Sequence, residues 1–91
     1  MRLKNVNQRT LDNLAAKAMY MIAVVYEKQG KLPEVRPFMF EVYKNCSLKH
    51  DSIGQATVMN IILRSYLHQN LYEQARNFLV KTTFPETASN N

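Results

Sequence analysis

The chain is poor in the residues that break, staple or bend a fold. Of its 91 residues two are glycine, three proline and one cysteine, and tryptophan is absent. Gly30 and Gly54 stand alone, so no glycine-rich loop can be assembled to cradle a phosphate. Cys46 cannot close an internal disulfide, and it shares no metal-ligand spacing with His50, His68 or a carboxylate, so neither a metal nor a cofactor is expected. Cys46 and His50 are four residues apart, but a helix C-terminus disfavours the thiolate that a catalytic pair would need. Cys46 therefore reads as a small buried filler in a reducing compartment, and His68 as a partly exposed turn residue. Long apolar runs are also missing. The richest, Leu14 to Tyr26, contains Lys17 and is shorter than the roughly 20 residues a bilayer span needs. The start of the chain, with Arg2, Lys4, Asn5, Asn7, Gln8 and Arg9, lacks the apolar segment of a signal peptide. Catalytic residues, a small-molecule substrate and a membrane are thus not expected, nor is peptidase, ATPase or deubiquitinating activity.

Acidic residues are scarce too, seven against twelve lysines and arginines, for a net charge of +5. Such an excess raises nucleic acid or an acidic protein surface as a partner. Beyond Arg2, Lys4 and Arg9, however, the bases are spread singly, whereas a phosphate-binding footprint needs them clustered. A solvated basic surface is the expectation. The rival, a basic helical RNA-binding module, would reveal itself by strongly salt-dependent affinity.

What is present is helical periodicity. Thr10 stands as an N-cap before a helix running from Leu11 to Gln29, which Gly30 stops. Pro33 opens a second helix reaching about Leu48, with Pro37 tolerable only in its first turn. Asp51 and Ser52 offer caps for a third helix through Gln69, with Ile53, Ala56, Met59, Ile62, Leu63 and Tyr66 at helical spacing. Asn70 punctuates, and a fourth helix follows from Leu71 or Tyr72 to about Thr82. Met19, Met21, Met39 and Met59 read as adaptable core filling, not a promiscuous groove.

Sliding the sequence against itself by forty residues aligns Ala16 with Ala56, Met19 with Met59, Ile22 with Ile62, Tyr26 with Tyr66, Gln29 with Gln69, Arg36 with Arg76 and Phe38 with Phe78. Gly30 and Asn70 also coincide, and both tolerate a left-handed helix stop. The chain is two copies of one helix–turn–helix unit. Each reads as tetratricopeptide-like around its turn, with Tyr26, Gly30, Leu32 and Val35 in the first and Tyr66, Asn70, Tyr72 and Ala75 in the second. The expected fold is all-α, two such hairpins forming a short right-handed α-solenoid fragment. The divisions are a flexible leader 1–9, a first hairpin 10–49, a second 50–84 and a polar tail 85–91. Arrays of this kind usually need three or so repeats, so the chain reads as part of a longer one.

Particular stretches carry a more specific signal. Arg9-Thr10-Leu11-Asp12 followed by Ala15-Ala16-Lys17, Leu48-Lys49-His50-Asp51, Gly54-Gln55-Ala56-Thr57, Leu63-Arg64 before Tyr66-Leu67, Leu71-Tyr72 before Gln74-Ala75, and Phe84-Pro85-Glu86 together resemble the PCI family. These are scaffold proteins of the proteasome lid, the signalosome and a translation initiation factor, in which helical repeats lead into a winged-helix domain. The resemblance implies a non-catalytic scaffold role in the 26S proteasome regulatory-particle lid, contacts with other lid subunits, support of ubiquitin-dependent degradation, and residence in cytoplasm and nucleus. The winged-helix domain is absent from this sequence, and Pro37 and Cys46 depart from the family pattern. A free-standing tetratricopeptide-like adaptor binding a peptide in its groove is the alternative.

Partner-facing positions follow from spacing. Thr57, Asn60, Arg64 and His68 recur at three- and four-residue steps as a polar stripe, and Lys17, Tyr20, Val24 and Glu27 form the matching face of the first repeat. Arg64 and Asn60 are expected to reach a neighbouring subunit or a returning segment, so that Arg64→Glu weakens association and leaves the melting temperature nearly unchanged. Tyr66 is expected to pack across its turn.

Overall fold

The computed structural model describes residues 8–83, which form α1 (Gln8–Lys28), a 3-10 turn (Leu32–Val35), α2 (Arg36–Leu48), α3 (Ser52–His68) and α4 (Tyr72–Thr83). The chain is all-α among these residues. Helix α1 starts earlier than Thr10 suggested, so Thr10 lies inside its first turn rather than ahead of it as a cap. The leader drawn as 1–9 therefore already contains helical residues at Gln8 and Arg9, while 1–7 and the tail 85–91 lie outside the described residues.

Three helices end the same way, and chain chemistry explains each stop. Gly30, His50 and Asn70 take positive φ of 73°, 57° and 59°. In each case the next residue's N–H turns back onto a carbonyl of the last helical turn. Lys31 donates to Tyr26 at 2.8 Å, Asp51 to Cys46 at 2.8 Å and Leu71 to Tyr66 at 2.9 Å. These bonds satisfy carbonyls that a helix end otherwise leaves open. Gly30 and Asn70 were legible as stops; His50 was not.

Both prolines of the second segment open elements. Pro33 begins the 3-10 turn and Pro37 sits in the first turn of α2, where no intrahelical N–H bond is lost. One expected helix thus becomes a short 3-10 turn followed by an α-helix. Asp51 caps α3 as expected, its carboxylate accepting from the Gly54 N–H at 2.9 Å.

The core lies between α2 and α3, with Met39, Val58, Ile61 and Ile62 fully buried beside Ala23, Leu32 and Val35. Each of these side chains larger than alanine contributes about 1.5–3 kcal/mol on burial. Helix α3 lies against α1, α2, α4 and the 3-10 turn, whereas α1 meets its own hairpin through that turn rather than along α2. Gly54 permits the close approach of α3 to α2, since a Cβ there would meet Cys46 Sγ at 2.7 Å and would also collide with the Asp51 carboxylate. Arg36 ties the two repeats together. Its Nε donates to Ser65 Oγ at 2.9 Å, Nη2 donates to Gln69 Oε1, and the guanidinium lies 4.2 Å over the Tyr66 ring. The buried Ser65 hydroxyl accepts that bond and donates to the Ile62 carbonyl at 2.6 Å, and the two bonds offset the cost of its burial.

Candidate partner-binding groove

Helices α1 and α3 run side by side and leave between them an open groove of about 850 Å³. Ala16 and Ala56 line it, and side chains this small leave the space between the two helices open. Met21 and Ile53 supply apolar walls, and Lys17, Tyr20, Thr57, Asn60 and Arg64 supply the polar ones. Of the two faces read separately from the sequence, Lys17 and Tyr20 meet Thr57, Asn60 and Arg64 across one groove. Val24, Glu27 and His68 do not line it, and the His68 ring is turned to Glu27.

The polar groups differ in how committed they are. Thr57 donates its hydroxyl proton to the Ile53 carbonyl at 2.9 Å, a bond within its own helix. Arg64 is held more firmly, with Nη2 at 2.7 Å from both oxygens of the Glu27 carboxylate on α1. His68 Nε2 lies 2.8 Å from the same carboxylate. Hydrogen bonding from Arg64, and then from His68, holds the Glu27 carboxyl below its usual range against the opposing effect of burial. The same carboxylate, with a smaller contribution from the Tyr20 hydroxyl, favours the charged form of Arg64. Arg64 thus staples α3 to α1, and Arg64→Glu would set two carboxylates against each other and lower the melting temperature, where the sequence alone led us to expect it nearly unchanged. Lys17 and Asn60 remain exposed and make no hydrogen bond or ion pair among the described residues.

The Glu27 clasp was not read from the sequence, although Glu27 and Arg64, of opposite charge, fall on matching faces of the two first helices. Asn13, Met21 and Ile53 as groove residues had no such signal, because they read as ordinary apolar or polar helix positions. Among the described residues no cluster of three or more histidine, cysteine or carboxylate side chains could hold a metal ion, and no helix is long and apolar enough to cross a membrane. Cys46 is buried and His50 is exposed.

A family profile described as "PSMD3-like, N-terminal TPR repeats" matches residues 1–91, the whole chain. The chain belongs to this family. Its similarity to curated members is spread over nearly all of its length. It is 42% identical over 89 residues to the 26S proteasome non-ATPase regulatory subunit 3 homolog A of Arabidopsis thaliana, covering 98% of this chain and 18% of that protein. It is 41% identical over 90 residues to the probable 26S proteasome regulatory subunit rpn3 of Schizosaccharomyces pombe, covering 99% of this chain and 18% of that protein. With the 26S proteasome non-ATPase regulatory subunit 3 of Dictyostelium discoideum it shares 42% identity over 82 residues, 90% of this chain and 16% of that protein. The chain thus spans less than a fifth of the length of the first two of these relatives. No solved structure matches it. Membership in this family agrees with the all-α tetratricopeptide-like hairpins described above.

Proposed function

We propose that the chain is a non-catalytic structural scaffold segment of the 26S proteasome regulatory-particle lid, working in cytoplasm and nucleus. It supports ubiquitin-dependent degradation through contacts with other lid subunits. The observation that carries this reading is the similarity, over nearly all of this chain, to 26S proteasome regulatory subunits, among them two whose names call them non-ATPase. The α1/α3 groove is the face we assign to a neighbouring subunit, with Lys17, Tyr20 and Asn60 as its contact groups. Arg64 and Thr57 shape its wall, and His68 supports the wall through Glu27. Electrostatics favours a protein over a nucleic acid, since Glu27 neutralises Arg64 and leaves Lys17 as the one uncompensated cation among the groove residues described.

Co-expression of the chain with the remaining lid subunits, followed by purification on a tag carried by another lid subunit, tests the proposal. The chain should co-purify, and Lys17→Glu combined with Asn60→Ala should reduce its recovery at least several-fold while its melting temperature stays put. Recovery unaffected by the paired change would remove the groove from the interface. Failure of the unsubstituted chain to co-purify, with a peptide held in the groove instead, would favour the adaptor reading.

A further inference from the structure

The side chains of the α1/α3 groove select the chemistry of what fills it. We infer that the occupant is an extended segment carrying a carboxylate, which meets Lys17 while the segment's backbone bonds to Asn13 and Asn60. This rests on the assignment of the groove to a neighbouring subunit and names what that subunit supplies. The walls are equivalent positions of the two repeats in the forty-residue register, Ala16 with Ala56, Lys17 with Thr57 and Tyr20 with Asn60. The groove therefore runs along the side of the array. Further repeats stacked beyond α1 or α4 would lengthen it rather than fill it.

Charge decides the first half of the inference. Among the described residues that line the groove none is acidic, and Lys17 and Arg64 are basic. Arg64 is already committed, its guanidinium 2.7 Å from the Glu27 carboxylate. Lys17 has no such partner among the described residues, is exposed, and shares the groove with the apolar Ala16, Met21 and Ile53. A partner that covers those side chains also takes water from the Lys17 ammonium, and an ammonium so covered is costly unless a carboxylate meets it. A neutral or basic partner would leave that cost unmet, so an acidic one is selected.

Hydrogen bonding decides the second half. Asn13 and Asn60 line the groove from α1 and α3, are exposed, and bond to no described residue. Each carboxamide both donates and accepts, the two functions that a free peptide unit also offers. A helix uses its backbone N–H and C=O groups internally, so a helical face laid over the groove would leave both carboxamides covered and unmatched by backbone. An extended segment keeps those groups free. It also turns alternate side chains to opposite sides, so one set reaches Met21 and Ile53 while the other stays at the rim with Lys17. The lengths agree as well. Asn13 and Tyr20 are seven residues apart on α1, about 10 Å at the helical rise, which roughly three extended residues span.

Fluorescence anisotropy of short labelled peptides against the 91-residue chain tests this. The probes alternate leucine with glutamate, with glutamine or with lysine, and a fourth is the glutamate peptide methylated on alternate backbone nitrogens. The glutamate peptide should bind, the glutamine peptide at least several-fold more weakly, and the lysine peptide more weakly still. Lys17→Glu should reverse that order, whereas Lys44→Glu, the same charge change on an exposed position of α2 outside the groove, should leave it intact. Backbone methylation should weaken binding at least several-fold, and much less in a chain carrying Asn13→Ala with Asn60→Ala. Asn60→Ala alone serves if circular dichroism shows that the paired change fails to fold. Absence of binding at millimolar peptide would overturn the inference, as would glutamine binding as well as glutamate, an order that Lys17→Glu does not reverse, or methylation without effect. Co-purification with lid subunits that depends on Lys17 and Asn60, found alongside any of those results, would keep the interface and discard this occupant. The expected peptide pattern without co-purification would keep the acidic extended occupant and discard the lid assignment.

Discussion

Replacing Met39 by alanine and, separately, Leu79 by alanine sets identical repeat positions against each other in different surroundings. Met39 is fully buried among Val35, Val58, Ile61 and Ile62. Its truncation leaves a cavity in a core that can collapse little, and such changes cost about 2–5 kcal/mol. For a chain of this size each kcal/mol moves the melting temperature by roughly 4–8 °C, so the expected fall is at least about 8 °C. Leu79 already has nearly half its surface in water. Its truncation forfeits only part of the roughly 1.5–3 kcal/mol of a buried leucine and opens no enclosed cavity, so about 1 kcal/mol is expected. Urea denaturation followed by far-ultraviolet circular dichroism, at a concentration where the chain is a single copy, measures both. The midpoints should separate while the slope stays fixed, since neither change alters the surface exposed on unfolding by much. Losses that agree to within about 0.5 kcal/mol would refute the reasoning, because burial by α3 would then not distinguish the two sites.

Three further outcomes are expected. The Glu27 carboxyl titrates lower folded than unfolded, so the stability it contributes is present at neutral pH and above its unfolded value, and is lost as pH falls through its folded one. The melting temperature of Glu27→Gln should therefore lie below that of the parent at neutral pH, and the gap should close in acid; a gap independent of pH would dismiss the clasp. Gly54→Ala forces a methyl into Cys46 Sγ and the Asp51 carboxylate, and should destabilise by roughly 1–3 kcal/mol in urea titrations, a loss that pairing it with Cys46→Ala should reduce. Tyr66→Ala removes the ring that packs on the core and carries the Arg36 guanidinium, and is expected to lose about 3–5 kcal/mol. A calorimetric shift equivalent to less than about 1 kcal/mol would make Tyr66 a surface residue.

Fold class and helix order could be read from the chain because each signal was local. Gly30 and Asn70 mark stops, Asp51 marks a start, and the apolar spacing of α3 needs no partner to be recognised. The forty-residue register carried further, since it named Arg36 and Tyr66 before any contact was known. What resisted was tertiary. Pro33 and Pro37 both fit a helix start, and only the packing of Leu32 and Val35 divides that segment into a 3-10 turn and α2. His50 was not recognisable as a left-handed residue, because histidine seldom signals that conformation. On the groove, periodicity found the polar faces of α1 and α3 but could not tell that Glu27 takes up Arg64 and His68 and leaves Lys17 and Asn60 exposed.

The position of α3 has a consequence for how the molecule comes apart. Sequence symmetry divides the chain between Lys49 and His50, yet the α2/α3 seam crosses that line and holds Met39 against Val58 and Ile62 and Arg36 against Ser65. The sequence repeat and the packed core are therefore out of phase by one helix. In native-state hydrogen exchange the amides of α2 and α3 should open together as the slowest group, with α4 released earlier as a separate foldon. A peptide ending at Lys49 would carry a complete sequence repeat and lack the helix on which its apolar side chains close.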